Sequence, residues 1–421
     1  MNFENFLEKI NGMIWGNGLI FLLIGCGLFY TIRLGFIQLR LIPELLKTSA
    51  KTKSEGDGIS QIKTIFLSLG TAMGTGNITG VASALLIGGA GAIFWMWVSA
   101  FFGMAIVYAE NYLAAVYKKE KCAGPMAYLK YGLNLKILPA AFAIFCICAS
   151  LGMGGMVQVN SFSGSLFECT DIDPHFVFAV SFILIYIIIK GGARRISSAS
   201  QLLLPIAAIS VGAVCIISIV KNHERVPIAV KQIFTQAFNF RSAAGGVTGF
   251  TVSSAVSAGM RRGIFSNEAG LGSSPILHSA SSNSCPKLQG LCAMAEVFID
   301  TIVCCTITAL TLLSAPIGDY SIISALENVT GNHTDIFITA SLSIFALCTI
   351  IGWYYCGETA FIFIFGSERK KYFTLIFSFI ASLGAILTLN TVWTLSDVFN
   401  GLMAFPNLLA LFLLFRKVRK E

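Results

Sequence analysis

The stretch "GTAMGTGNITG", residues 70–80, carries four glycines and an asparagine inside an otherwise apolar run from Ile62 to Ile87. Glycine costs a helix interior roughly 1 kcal/mol relative to alanine, and an unpaired amide in hydrocarbon costs several more. At about 1.5 Å per residue from Ile62, Asn77 falls roughly 22 Å along the run, at or a little past the middle of a bilayer core. A segment long enough to span a membrane therefore has its weakest helical residues at its midpoint. One reading is packing, since Gly70/Gly74 and Gly76/Gly80 both have GxxxG spacing. The other is unwinding, which is tolerated at membrane depth only where backbone is buried in protein or lines a cavity. Packing alone gives no reason for Thr71, Thr75, Asn77 and Thr79 to crowd the same turns, so the pattern points to a broken helix. A nucleotide loop is excluded, because no strand precedes the glycines and no "GK[ST]" follows.

The rest of the chain agrees with a membrane setting. Of its 421 residues 55% are hydrophobic and 12% charged, with mean hydropathy +0.77, whereas soluble chains carry about a quarter charged residues. Glu4 and Glu8 against Lys9 make a poor basic leader, so the first apolar segment is expected to be retained. Windows of about 20 residues give eleven spans, near 13–36, 62–88, 91–117, 138–165, 175–190, 199–220, 241–262, 288–315, 335–365, 371–391 and 394–415. With the amino terminus outside and the carboxyl terminus inside, 24 of the 29 basic residues fall in cytoplasmic loops, Arg261, Arg262 and Lys287 among them. That asymmetry is the positive-inside pattern of a multi-pass cell-membrane protein. The net charge of +8 follows from it, and no basic run interleaved with aromatics suggests nucleic acid. Of twelve cysteines only Cys169 lies in an outside loop, so no extracellular disulfide is expected in the monomer.

A second weak segment, "SAAGGVTGFTVSSAVSAGM" (242–260), is equally rich in Gly, Ser and Thr. It lies five spans after the first, so the two interrupted spans run in opposite directions. This is the pattern of an inverted-repeat secondary transporter. The expected architecture is all-α, a 5+5 inverted repeat with one additional N-terminal helix. Residues 1–61 hold the extra helix and a cytoplasmic loop, 62–221 the first repeat, 222–240 an extracellular amphipathic segment, and 241–421 the second repeat and tail.

The segments "GTGNITGVASALLIGGAGAIFWMWVSAFFGMAIVYAE" (74–110), "GGARRIS" (191–197), "RGIFSNEAGLGSSPILHSA" (262–280), "VFIDTI" (297–302), "IGWYYCGE" (351–358) and "NGLMAFPNLLAL" (400–411) resemble the alanine/glycine:cation symporter family. The match runs from about residue 20 to 415. The resemblance implies the leucine-transporter fold, with "AMGTGN" (72–77) as its first unwound helix, and sodium-driven import of a small neutral amino acid. Proton coupling, glutamine or D-alanine is the alternative within the same fold. It implies that Thr75, Gly76 and Asn77 receive the amino acid, that Gln158 faces it, and that Trp353, with Phe250 and Thr251 on the seventh span, closes the pocket. It also implies a sodium site from the Gly70 and Met73 carbonyls with Ala346, Cys348 and Thr349. Sodium, a hard cation, suits carbonyl and hydroxyl oxygens.

Asp300 lies at about mid-depth of the eighth span, where carboxylates are rare and usually functional. It is a candidate coupling carboxylate, or one held by neighbouring Ser and Thr. Glu296 stands on the same face, four residues before it. Compared with the family pattern, Gly155 replaces an Asn, Cys348 a Ser and Ser257 an Arg. "SNEAGLGSSP" is expected to be a cytoplasmic hinge loop with Asn267 and Glu268 as caps, and Glu110 and Glu358 to be interface anchors. A membrane-embedded enzyme would need a Ser/His dyad, an HExxH or paired catalytic aspartates, and the sequence offers none of these. Sodium is expected as coupling ion, with no cofactor, and membrane lipid as the only other surrounding partner.

Overall fold

The computed structural model describes residues 3–51, 61–119, 122–190, 193–238, 252–281, 285–316, 318 and 320–419. Among these are twenty α-helices and no β-strand. The first are α1 (Phe3–Ile14), α2 (Asn17–Arg33), α3 (Leu41–Lys51), α4 (Gln61–Ala72), α5 (Thr79–Gly88), α6 (Gly91–Tyr117) and α7 (Gly124–Ala127). Then come α8 (Ile137–Leu151), α9 (Val157–Thr170), α10 (Pro174–Lys190), α11 (Ala193–Lys221), α12 (Val226–Ala237), α13 (Val252–Asn267) and α14 (Ser274–His278). The last are α15 (Pro286–Val297), α16 (Thr306–Ser314), α17 (Ile322–Thr330), α18 (Thr334–Phe365), α19 (Lys370–Leu383) and α20 (Leu389–Leu413). Two π-helical stretches, Gly152–Met156 and Phe298–Cys305, join α8 to α9 and α15 to α16 into long rods.

Among the described residues seven stretches are long and apolar enough to cross a membrane, and they coincide with seven of the eleven expected spans. The other four differ for physical reasons. Span 62–88 is split between α4 and α5, and only the part of span 241–262 from Val252 onward is described. Span 175–190 is α10, with 17 residues, and 371–391 is represented by α19, with 14.

The molecule is inside-out relative to a water-soluble protein. Phe21, Ile137 and Ile209 are 70%, 85% and 71% exposed, while Glu110 and Asp300 are completely buried. With lipid outside, apolar side chains gain nothing by turning inward, and polar groups must find partners in the interior.

From Val252 onward the second Gly/Ser-rich segment is continuous helix, α13, packed along α6, and its part 242–251 lies outside the described residues. A Cβ on Gly259 would lie 2.3 Å from the Ala92 carbonyl oxygen, so small residues here serve close helix approach. The chain breaks later, at 268–273, between α13 and α14. Glu268, Gly270 and Gly272 adopt positive φ (55°, 86° and 81°), which a helix cannot accommodate. This segment is buried rather than an exposed loop. Gly76 meets Phe265, while Gly88 meets Ala255 and Ala258. The two broken helices thus run antiparallel and touch beside their breaks.

The amphipathic segment of 222–240 does form a helix, α12, whose Ala229, Ile233 and Ala237 are buried. It seals the α5–α6 turn, with Gln236 Oε1 accepting from the Ala90 amide at 2.9 Å. At the end where α20 finishes, Lys287 on α15 pairs with Glu44 on α3 at 2.9 Å. The hydrogen bond to that ammonium holds the Glu44 carboxyl below the usual carboxylate range.

Candidate binding site at two helix breaks

α4 ends at Ala72, Gly74 is extended (φ −112°, ψ −154°), and one 3₁₀ turn, Thr75–Asn77, precedes α5. A Cβ on Gly74 would sit 2.5 Å from Thr349 Oγ1 and 3.3 Å from Gln158 Oε1, so only glycine lets these three elements converge. Thr75 Oγ1 donates to Gln158 Oε1 at 3.0 Å, and Gln158 Nε2 donates to the Met153 carbonyl at 3.0 Å. That carbonyl belongs to the π-helical turn before α9, a distortion common at functional sites. Thr349 Oγ1 donates to the Gly70 carbonyl at 3.2 Å. Met73, Ala346 and Cys348 are buried around this pair, with Cys348 Cβ packed against Gly70. Residues 279 positions apart in the chain, Gly70 and Thr349, thus meet at one break.

Asn77 turns the other way. Its Nδ2 donates to Asp300 Oδ1 at 2.8 Å and to the Asp300 carbonyl at 3.1 Å. Asp300 Oδ2 accepts from Ser266 Oγ at 2.6 Å and Thr301 Oγ1 at 2.8 Å. The buried carboxylate is therefore held by both broken helices at once, through Asn77 from the first and Ser266 from the second. Asn77 Oδ1 is buried without a protein partner.

Aromatic groups bound the break on two sides. Phe265 and Trp393 pack at a 35° tilt with ring centroids 4.4 Å apart, and Arg262 lies 4.2 Å over Trp393 while pairing with Asp397 at 3.1 Å. On the opposite side, Trp353 Nε1 donates to Glu268 Oε1 at 2.8 Å. Ser273 Oγ donates to the other Glu268 oxygen. Asn407 ties the same buried segment down, donating to the Gly270 carbonyl at 2.9 Å and to Glu110.

Trp353 lies one turn beyond Thr349 with its indole bonded to Glu268, and Phe265 and Trp393 also lie against the break. Phe250 and Thr251 lie outside the described residues. Arg261 and Arg262 are helical, not loop residues. Arg262 is only 6% exposed, because pairing with Asp397 and stacking on Trp393 replace its water. Glu110 is a buried network member rather than an interface anchor. Asn267 closes α13 and caps no following helix; its Oδ1 accepts from the Ala269 amide at 3.0 Å within the break. The narrow space at Gly155, whose Cβ would fall 2.7 Å from Ala381 Cβ, accounts for glycine there. Phe265, Ser266, Glu268, Trp393 and the Arg262–Asp397 pair were missed as site residues. The "RGIFSNEAG" motif was the signal for the first three, but its place at a second break required the tertiary contacts.

A family model described as the sodium:alanine symporter family matches residues 1–421. The chain is 38% identical to the sodium/alanine symporter AgcS of Methanococcus maripaludis, over 98% of its own length and 95% of that protein. It is 34% identical to GlnT of Bacillus subtilis, named a probable sodium/glutamine symporter, over 99% of its own length and 89% of that protein. Among solved structures, MhsT in complex with L-phenylalanine matches with TM-score 0.63 at 13% identity, covering 86% of this chain and 90% of that one. The fold is thus the leucine-transporter fold.

Proposed function

The chain belongs to the sodium:alanine symporter family, and from that premise we propose that it imports a small neutral amino acid, alanine or glycine, together with sodium. It is an integral membrane carrier, not an enzyme. The observation that carries the finer reading is the meeting of Gly70, Thr75, Gln158 and Thr349 at one break. Two oxygens 3.2 Å apart, the Gly70 carbonyl and Thr349 Oγ1, are spaced as neighbours in the shell of one small hard cation. Met73 and Ala346 carbonyls complete that shell, with Cys348 packed beside it. The first-turn amides of α5 have no partners within their helix and receive the substrate carboxylate. Gln158 Oε1 and the open Asn77 Oδ1 accept from the ammonium.

Alternating access follows from the two barriers. Phe265, Trp393 and the Arg262–Asp397 pair close one side, and Trp353 with Glu268 closes the other. Residues 62–221 and 241–421 form the two inverted repeats, and rocking of one bundle against the other opens each barrier in turn. The side bearing the basic tail faces the cytoplasm.

Counterflow of labelled alanine and glycine into proteoliposomes, with sodium or choline outside, tests this reading. Sodium-dependent, saturable exchange supports it. Glutamine displacing label better than alanine would reassign the substrate, and uptake indifferent to sodium would end the cation assignment.

A further inference from the structure

One buried pair has no part in the roles above. His278 ends α14, just past the second break, and its Nε2 lies 3.0 and 3.1 Å from the two carboxylate oxygens of Glu296. Its Nδ1 lies 2.7 Å from Gln289 Oε1. Both ring nitrogens face acceptors, the arrangement of an imidazole that carries two protons. Glu296 also accepts from Ser68 Oγ at 2.6 Å, so the pair ties α14 and α15 to α4 below its break.

The pair stands between two small cavities. One is lined by Asn111, Lys118, His278 and Gln289. The other, with room for about one water, is lined by Ser68, Asn267, Glu268, Glu296 and Asp300. Asn267 is 4% exposed, lines that second cavity, and its Nδ2 has no protein partner. An unpaired donor therefore borders a space that three carboxylates, Glu268, Glu296 and Asp300, also line. Asn111 Oδ1, bordering the first cavity, is likewise buried and unpaired. Rows of His and acidic side chains inside membrane proteins are the usual substance of proton pathways.

We propose that His278 and Glu296 form a proton-binding site that exchanges protons with Asp300 through the cavity between them. This rests on the carrier reading above. The imidazolium Nε2–H passes its proton to a Glu296 oxygen, leaving both groups neutral. A water seated on Asn267 Nδ2 takes that proton and delivers one to Asp300, and Glu296 returns to carboxylate. The net change is one positive charge lost at His278 and one negative charge lost at Asp300. A proton entering beside Lys118 recharges the imidazole. Once neutral, Asp300 no longer holds Asn77 and Ser266 as charged partners, so proton arrival is felt at both breaks. Among the described residues the other titratable groups facing this row are Glu268 from the second break, Glu110 from α6 and Lys118 just past its end. Tyr355 and Cys356 face it from α18, and Glu44, paired with Lys287, from α3. Lys118, whose ammonium donates to the Ser281 carbonyl at 3.0 Å, borders the cavity beside His278, and its charge favours release of the imidazole proton.

The test uses the full-length protein in proteoliposomes containing a trapped pH dye, with labelled alanine and a sodium gradient. Alanine entry is expected to acidify or alkalinise the lumen in step with uptake. Glu296→Gln and His278→Gln are expected to cut the proton signal by about 100-fold, a typical contribution of a positioned proton-transfer group, while retaining sodium-dependent alanine binding. Glu296→Asp, which keeps the carboxylate, restores part of the proton signal and guards against a variant that fails to fold. Sodium-driven alanine uptake with no proton signal in the unmodified protein overturns this proposal and leaves the carrier reading intact. An undiminished proton signal in both variants also overturns it. Absence of any sodium-dependent alanine binding in the unmodified protein sinks the carrier reading instead.

Discussion

Asn77, in the break of one helix, donates to both the carboxylate and the carbonyl of Asp300, on a rod more than two hundred residues away, at 2.8 and 3.1 Å. Ser266, from the second broken helix, donates to the same carboxylate. The two discontinuous helices are thus coupled through one buried charge rather than by direct polar contact between their backbones.

Removing that coupling is expected to abolish transport. Asn77→Ala leaves a buried carboxylate short of one donor, a cost of about 1–3 kcal/mol in stability. It also deletes the open Oδ1 proposed for the substrate ammonium. Counterflow should fall to background while the thermal midpoint drops by only a few degrees. Alanine exchange at the original rate would refute the role.

Thr349 sets the cation requirement. Thr349→Ala removes one of the two oxygens at the proposed sodium shell and should raise the half-saturating sodium concentration by roughly tenfold or more, about 1.4 kcal/mol. Thr349→Ser should restore most of the affinity. Cys348→Ser, which exchanges a soft thiol for a hard oxygen, should leave sodium dependence unchanged or tighten it. Sodium titration of alanine binding reads all three.

Phe265 and Trp393, not Trp353, are expected to govern substrate size. Phe265→Ala should admit larger neutral amino acids in competition assays. Trp353→Phe should leave selectivity alone and alter turnover, because it removes only the bond to Glu268. A shift of selectivity confined to Trp353 variants would reverse this assignment.

Arg262→Leu strands the Asp397 carboxylate in the interior and should destabilise the protein by about 3–5 kcal/mol. Removing both charges, with Arg262→Leu and Asp397→Leu together, should recover much of that loss in a thermal-shift measurement. A double-variant loss equal to the sum of the separate Arg262→Leu and Asp397→Leu losses would show that the pair is not coupled.

Close helix contact at Gly352 admits no side chain, since a Cβ there would lie 1.8 Å from Thr71 Oγ1. Gly352→Ala should cost about 1–3 kcal/mol and reduce the yield of folded protein. Adding Thr71→Ala should return part of it.

Much of this was legible in the chain. The glycine and asparagine at 70–80 announced a break because they conflict with the apolar run around them, and a local conflict of that kind can be read without coordinates. Asp300 stood out for the same reason, as a charge inside a hydrophobic span. The break at 268–273 was not legible, because Gly/Ser content such as that of 252–260 has two causes, unwinding and close packing, which look alike in one dimension. Only the approach of Ala92 to Gly259 separates them. Arg261 and Arg262 were read as loop charges because no sequence rule reveals Asp397 and Trp393 waiting beside them.

Composition and span pattern determined by themselves that this is an all-helical membrane protein, since lipid leaves only helices and closed barrels to pair a spanning backbone and apolar runs of about 20 residues fit helices. Which side chains share the break was decided only by the tertiary structure. Partners such as Gly70 and Thr349, or Asn77 and Asp300, are brought together by helix crossings whose angles depend on small contacts throughout the bundle, and no local stretch of chain encodes them.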